Sequence, residues 1–245
     1  MTAFPFDTNL NELIKLGLIV LSSDETIEVE FRRMLPESCL LFQTRIHSAP
    51  EVTPDTLMGM KAGLVASAAM IPTSFNLDVI GYACTSGATM IGPSIVATEL
   101  QKVHPKTRVC TPITAVMRAL DKMCAKKIGM VTPYIPDVSQ EMRNLLIKNG
   151  FEISELVSFE VSTEAIVARI TADSIKYAVR AAAVAGADAV FVSCTNLRTV
   201  DVIYELEDEL GIAIVTSNQA LAWDMLTSAG ISTAQSAVPG RLSKT

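Results

Sequence analysis

The cysteines at positions 39, 84, 110, 124 and 194 are the residues of this 245-residue sequence with the most to offer chemically. Their odd number and wide spacing argue against a disulfide framework. No pair forms C-x2-C, and neither His47 nor His104 lies near a cysteine pair, so no metal site is expected. Two of the five share a distinctive setting. Cys84 closes the run Asp78-Val-Ile-Gly-Tyr-Ala-Cys84-Thr85, and Cys194 closes Asp188-Ala-Val-Phe-Val-Ser-Cys194-Thr195. Each run reads as a strand ending just before a helix. A helix N-terminus lowers a thiol's pKa from its free value of about 8.5. Two such thiols on opposite walls of one cleft permit two-sided chemistry, one as base or nucleophile and the other as acid. Racemisation needs that arrangement, and so does cis-trans isomerisation by thiol addition, bond rotation and elimination. Thr85 and Ser86 follow the first thiol, and Thr195 and Asn196 the second. Such small polar residues let a carboxylate approach the backbone and add donors of their own. Cys39, Cys110 and Cys124 are expected to be small buried apolar residues.

To place two thiols this way, strands must end along a shared edge. Apolar runs ending in small polar residues recur at 16–23, 77–87, 107–112, 127–134, 187–196 and 212–218. The stretches 56–71, 92–103, 115–125, 139–150, 165–186 and 202–211 show helical spacing. Strands alternating with helices predict parallel sheets covered by helices on both faces. Gly150, Gly186 and Gly211 stand where helices should stop. The two halves also match: Cys84 with Cys194, Gly17 with Gly129, and Val109-Cys-Thr111 with Ile214-Val-Thr216. The offsets are 110, 112 and 105 residues, which indicates a duplicated α/β unit. Ligands bind at the carboxyl ends of strands in such sheets, which puts Cys84 and Cys194 on facing walls.

Composition narrows the function classes. A hydrophobic fraction of 49% with only 5% aromatics describes a globular chain rich in aliphatic strands. The net charge is −6 with no Lys/Arg run, so nucleic-acid binding is not expected. No apolar run reaches the roughly 18 residues of a membrane span. The start, MTAFPFDTNLNELIK, lacks a signal-peptide pattern, so a cytoplasmic location is expected. No G-x-G-x-x-G follows a strand and no G-x-x-x-x-G-K-[ST] occurs, which disfavours a nucleotide cofactor.

The blocks GLIVLSSDETIE (17–28), ACTSG (83–87), TPY (132–134), SCTNLRT (193–199) and TSNQALAWDML (216–226) resemble the Asp/Glu racemase superfamily over nearly the whole chain. Maleate cis-trans isomerases and the related ectoine-utilisation proteins form the most similar branch, with arylmalonate decarboxylases as cousins. The resemblance implies two pseudo-symmetric flavodoxin-like lobes, residues 1–115 plus 217–245 and residues 116–216, with the site between them and no cofactor. By motif, Cys84 resembles the cysteine that attacks or deprotonates substrate, and Cys194 its acid partner. Thr85, Ser86, Tyr134, Thr195 and Asn196 resemble groups that hold carboxylate oxygens. Decarboxylases of the superfamily keep only the second cysteine. Maleate isomerases carry asparagine where this chain has Asp24, and another near Glu164. Acids at those positions should repel a dicarboxylate; they could instead receive an ammonium group or interact with other residues, and the ectoine-utilisation branch is similar in having acids at both places. Asp24 reads equally well as a helix N-cap.

The expected activity is therefore a cofactor-independent isomerase of a small carboxylic acid, by cis-trans isomerisation or racemisation. A decarboxylase of a malonate-type acid and a non-catalytic small-acid binding module remain alternatives. A homodimer or larger homo-oligomer is expected, with neither a membrane nor a nucleic-acid partner.

Overall fold

Strands buried on both faces form the centre of the molecule. In β1 (Ile14–Leu21), Leu16 to Leu21 are all buried. Such near-continuous apolar strands belong to parallel sheets with helices on both sides. The computed structural model describes residues 4–7, 13–184 and 186–245. The head of the expected first lobe, and most of the start read as lacking a signal peptide, lie outside the described residues.

After β1 come α1 (Ile27–Met34), β2 (Cys39–Ile46), α2 (Pro54–Gly59), α3 (Leu64–Ala69), β3 (Val79–Ala83), α4 (Thr85–Ile91), α5 (Pro93–Gln101), β4 (Arg108–Cys110) and α6 (Pro112–Lys122). The second half runs β5 (Lys127–Thr132), α7 (Pro136–Lys148), β6 (Glu152–Ser158), α8 (Glu164–Val167), α9 (Ala172–Ala182), β7 (Ala189–Val192), α10 (Ile203–Leu210), β8 (Ala213–Thr216) and α11 (Ser217–Ser228). One four-stranded sheet has the order β2-β1-β3-β4 and the other β6-β5-β7-β8, with all pairings parallel.

The strand registers reproduce the internal repeat. Gly17 pairs with Ile80 as Gly129 pairs with Val190, and Ile80 pairs with Val109 as Val190 pairs with Ile214. The shared aspartates also have one job. Asp78 accepts the Lys15 N–H, and Asp188 accepts those of Lys126 and Lys127, so each carboxylate fixes the start of a central strand. Thr111 and Thr216 open α6 and α11 with matching capping boxes. Gly150 and Gly211 stop α7 and α10 with positive φ, whereas Gly186, also at positive φ, lies past the end of α9, which stops at Ala182.

Several expectations need correction. The edge strands β2 and β6 did not stand out in the sequence, because they are only partly buried and carry charged and polar residues. The stretch 56–71 is not one helix: α2 and α3 are separated by a 3-10 turn at Met60–Gly63. The stretch 165–186 breaks where Thr171 caps α9 through the Ser174 N–H. His104 is buried, its ring nitrogen 3.1 Å from the Ala68 carbonyl. Cys124 is exposed rather than a buried apolar residue.

Candidate active site

Cys84 ends β3 and is the N-cap of α4. The Gly87 N–H donates to its Sγ at 3.2 Å, and the Ser86 hydroxyl lies 3.7 Å from the same sulfur. Gly87 has to be glycine. A Cβ there would stand 2.8 Å from the Met60 Cε, 2.8 Å from the Tyr82 hydroxyl and 2.9 Å from the Cys84 sulfur. Cys194 ends β7 at the matching position, but no helix follows it. The chain turns through Thr195 and Asn196, and Cys194 takes φ of 108°, a left-handed conformation uncommon outside glycine. The Asn196 N–H donates to its Sγ at 3.4 Å. The expectation of two matching helix-end thiols therefore holds for Cys84 and fails for Cys194.

The two motifs nevertheless converge. The Ser217 hydroxyl, at the start of α11, accepts from the Thr85 hydroxyl at 2.8 Å and from the Cys194 N–H at 3.0 Å. The Thr195 hydroxyl donates to the carbonyl of Ala83 at 3.3 Å, next to Cys84. Tyr134, wholly buried, brings its hydroxyl within 3.5 Å of Ser193 and close to Cys194. Tyr82 stands beside Cys84 in the same way.

Asn196 ties Glu164 and the backbone beside Asp24 to this centre. Its Oδ1 accepts the Glu25 N–H at 2.9 Å, and its Nδ2 donates to Glu164 Oε2 at 3.0 Å, so both ends of the amide are committed. Asp24 Oδ1 accepts the N–H groups of Thr26 and Ile27, each at 2.8 Å, which makes Asp24 a cap at the start of α1. Its Oδ2 is buried without a hydrogen-bond partner. The Thr195 hydroxyl lies near enough to lower the Asp24 pKa, yet in this conformation it is turned to Ala83.

The structure places all nine expected site residues together as buried groups, with Cys84 only 2% and Cys194 4% exposed. Burial pushes the Cys84 thiol up to about 12, and Glu164 adds to the rise, against opposing hydrogen bonds from Gly87 and Ser86. Cys194 is likewise raised well above the usual thiol range, by burial first and then by Glu164. The resting form thus holds neutral thiols, contrary to the expectation of low-pKa, accessible ones. Asp24 is raised to about 6 and Glu164 is also raised, both chiefly by burial. Among the described residues, no lysine or arginine is buried and no His/Cys/Asp/Glu cluster could hold a metal ion. No described helix is long and apolar enough to cross a membrane. Iodoacetamide should therefore label Cys124 first in the free protein, with Cys84 and Cys194 slow. Mass spectrometry showing either buried thiol labelled as fast as Cys124 would mean that an open form dominates.

A short backbone bridge joins the two halves beside Glu164. Val52 N–H donates to the Ser162 carbonyl at 2.7 Å and Glu164 N–H to the Pro50 carbonyl at 3.1 Å, forming an antiparallel bridge between Glu51 and Thr163.

The sequence reading missed four contributors: Tyr82, Ser217, Glu30 and Asn218. Tyr82 was findable, since residues two apart on a strand share a face. Glu30 accepts the N–H groups of Thr199 and Val200 through Oε1 and the Asn218 amide through Oε2, at 2.7 to 3.0 Å. Asn218 also donates to the Thr195 carbonyl at 2.8 Å. This buried carboxylate on α1 holds the loop that carries Cys194. Burial raises its pKa from 4.5 to about 7. A raised carboxyl favours the folded state most at low pH, and that contribution is lost as pH rises from about 4.5 to about 7. The loss is on the order of 3 kcal/mol. Glu30→Gln should flatten the fall of Tm across that window, and parallel Tm–pH curves for the two proteins would refute the assignment.

Comparison with known proteins agrees with this layout. The family described as arylmalonate decarboxylase (Amdase) matches residues 16–243. Maleate isomerase of Pseudomonas putida is 26% identical over 89% of this chain and 92% of its own length. Maleate isomerase of Nocardia farcinica is 27% identical over 92% of this chain and 93% of its own. A solved structure of Nocardia farcinica maleate cis-trans isomerase, a cysteine-to-serine mutant with a covalently bound succinylcysteine intermediate, superposes with a TM-score of 0.86. It is 24% identical and covers 95% of this chain and 98% of that one, which shows the shared two-lobed fold.

Proposed function

Since the chain belongs to the arylmalonate decarboxylase (Amdase) family, whose match spans residues 16–243, we propose that it is a cofactor-independent isomerase of a small carboxylic acid, working through Cys84 and Cys194. The observation that carries this reading is the convergence of both Cys-Thr motifs on the Ser217 hydroxyl. Retention of Cys84 beside Cys194 favours isomerisation over decarboxylation, which needs a proton donor on one face only.

For a cis-trans isomerisation, Cys84 first gives its resting proton to solvent as the site opens, and the thiolate then adds to one alkene carbon, making a C–S bond and converting the double bond to a single one. The electron pair passes to the neighbouring carbon and its carboxylate, where Cys194 supplies a proton. After rotation about the single bond, Cys194 takes a proton back, the C–S bond breaks and the trans alkene forms. For a racemisation, one thiolate removes a proton from the carbon beside the carboxylate and the other thiol returns one to the opposite face. Neither route needs an oxidant or a second substrate. Thr85, Ser86, Tyr134, Thr195 and Asn196 are the groups for carboxylate oxygens, although Thr85, Thr195 and Asn196 must first release the protons they give to Ser217, Ala83 and Glu164 in the closed form. Two hydrogen bonds favour the thiolate form at each sulfur, from Gly87 and Ser86 at Cys84 and from Tyr134 and Asn196 at Cys194, so the choice of Cys84 as the attacking group rests on its motif.

The lobes divide as residues 1–115 plus 217–245 and residues 116–216. Supporting this, α11 lies against β3, β4 and α1 of the first sheet's half; it packs most closely on α6, so that helix, which the boundary at 115 divides, goes with the first lobe. A homodimer or larger homo-oligomer in the cytoplasm completes the reading. Exposed Val65, Met70 and Ile95 at the adjacent helices α3 and α5 favour such an interface, which sedimentation would detect.

A turnover panel tests the activity. Fumarate formation from maleate, or solvent deuterium uptake by a chiral acid, supports the isomerase. Carbon dioxide release from a malonate-type acid would mark a decarboxylase, and thermal stabilisation without turnover a binding module.

A further inference from the structure

The charge around the two thiols is one-sided. Asp24 and Glu164 are both buried, and each raises the pKa of both Cys84 and Cys194, so both acids act on the centre itself. Capping α1 uses only one oxygen of Asp24, leaving Oδ2 buried and unpartnered. Leaving a carboxylate oxygen in the interior without a donor is unfavourable, unless a donor arrives with a ligand.

No buried cation stands by to balance the acids among the described residues. The nearest, Arg45, is exposed and occupied. Its Nη1 donates to the carbonyls of Leu21, Ser22 and Asp24, and its Nη2 to Glu28. Arg198 is exposed. A dianionic substrate would thus enter a dry site whose chargeable groups are two carboxyls, two thiols and two phenols, all neutral or negative. An ammonium group would bring N–H donors for Asp24 Oδ2 and for Glu164, and would hold both acids ionised. Its carboxylate would meet the hydroxyls of Ser86 and Tyr134, since Thr85 gives its proton to Ser217.

We propose that the substrate is a small carboxylic acid bearing an ammonium group, and that the Asp24 and Glu164 carboxylates bind that ammonium. The proposal rests on the two-cysteine site for its location and deepens that reading by naming the substrate class. Dicarboxylates without an amino group become poor ligands of the native chain.

Binding of matched probes tests this without turnover, using wild type and the Cys84→Ser protein. Aspartate is compared with succinate, and 2,3-diaminopropionate with propionate, by calorimetry and thermal shift. The amino acid of at least one pair should bind tighter than its amino-free partner by on the order of tenfold or more. Asp24→Asn and Glu164→Gln should each erase or invert that preference. Both amides keep an acceptor oxygen, for the α1 cap or for Asn196, so folding is preserved. Asp24→Asn should in addition admit maleate. Equal or tighter binding of the amino-free acids by wild type would overturn the proposal, as would no binding of any amino acid in the panel, or an undiminished preference in both variants. An ammonium preference in a protein inert toward every acid would leave this proposal standing while sinking the isomerase reading. Efficient wild-type turnover of maleate would do the reverse.

Discussion

Serine at position 84 or at position 194 is expected to lower kcat by about a thousandfold or more while leaving the fold intact. The two sulfurs sit in matched places at the ends of β3 and β7, and each accepts a backbone N–H, from Gly87 and Asn196 respectively. A serine hydroxyl can accept the same hydrogen bond, so the cost in stability is about 1 kcal/mol. It cannot reproduce the nucleophilicity or the acidity of a thiol. The two variants should fail differently if the roles are divided. With Cys84 as nucleophile and base, Cys84→Ser loses both addition and exchange. With Cys194 as acid, Cys194→Ser can still form the first covalent bond, and a stalled adduct on Cys84 should be visible by intact-mass spectrometry. Near wild-type kcat in either variant, with unchanged Tm, would end the two-thiol mechanism.

The largest stability effect is expected far from the thiols, at Gly129. A Cβ at this position of β5 would lie 2.2 Å from the carbonyl oxygen of Ala182 and 2.9 Å from its carbon, on the last residue of α9. Backbone on both sides leaves nothing flexible to give way. Gly129→Ala must push α9 off the second sheet, at a cost of about 3 kcal/mol or more. For a chain of this length that corresponds to a fall in Tm of about 6–12 °C. Gly59→Ala supplies the contrast. Gly59 is helical, with φ of −59°, and a Cβ there meets nothing within 4 Å. Alanine should therefore raise stability by about 0.4–1 kcal/mol. Calorimetry showing similar Tm values for the two variants would refute the close approach of α9 to β5.

Much of the fold was legible because its central strands are buried on both faces and read as unbroken apolar runs. Val79–Ala83, Ala189–Val192 and Ala213–Thr216 are buried at every residue. The edge strands Cys39–Ile46 and Glu152–Ser158 mix charges with apolar residues at partly exposed positions, so no continuous run marks them. Helix α11 escaped for the opposite reason: Ser217 to Leu226 are all buried, polar residues included, and no amphipathic stripe remains to be read. At the site, the repeat located both thiols, and its registers hold to the residue. The break in symmetry was not legible as such. It traces to the third residue after each cysteine. Gly87 leaves room for Tyr82 and Met60 beside Cys84, whereas Leu197 occupies the matching place after Cys194, where the chain turns instead of entering a helix. The thiol pKa values were misjudged because a helix terminus is a local feature, whereas desolvation depends on everything that closes over the sulfur. Glu30 and Asn218 lie 188 residues apart and meet only in three dimensions, so no spacing could announce them.

The bridge from Pro50 and Val52 to Ser162 and Glu164 is the contact between halves expected to separate encounter from entry. A colliding ligand meets sulfurs that are almost wholly buried, so association waits on an opening, and these backbone hydrogen bonds are the ones expected to yield. In stopped-flow mixing, the observed rate should climb with ligand concentration only until it meets the rate of opening, and then level off. Probes of very different affinity should share that ceiling. Added viscogen should slow the climb more than the plateau, and Pro50, although it touches no reacting atom, should influence how fast the gate admits its traffic.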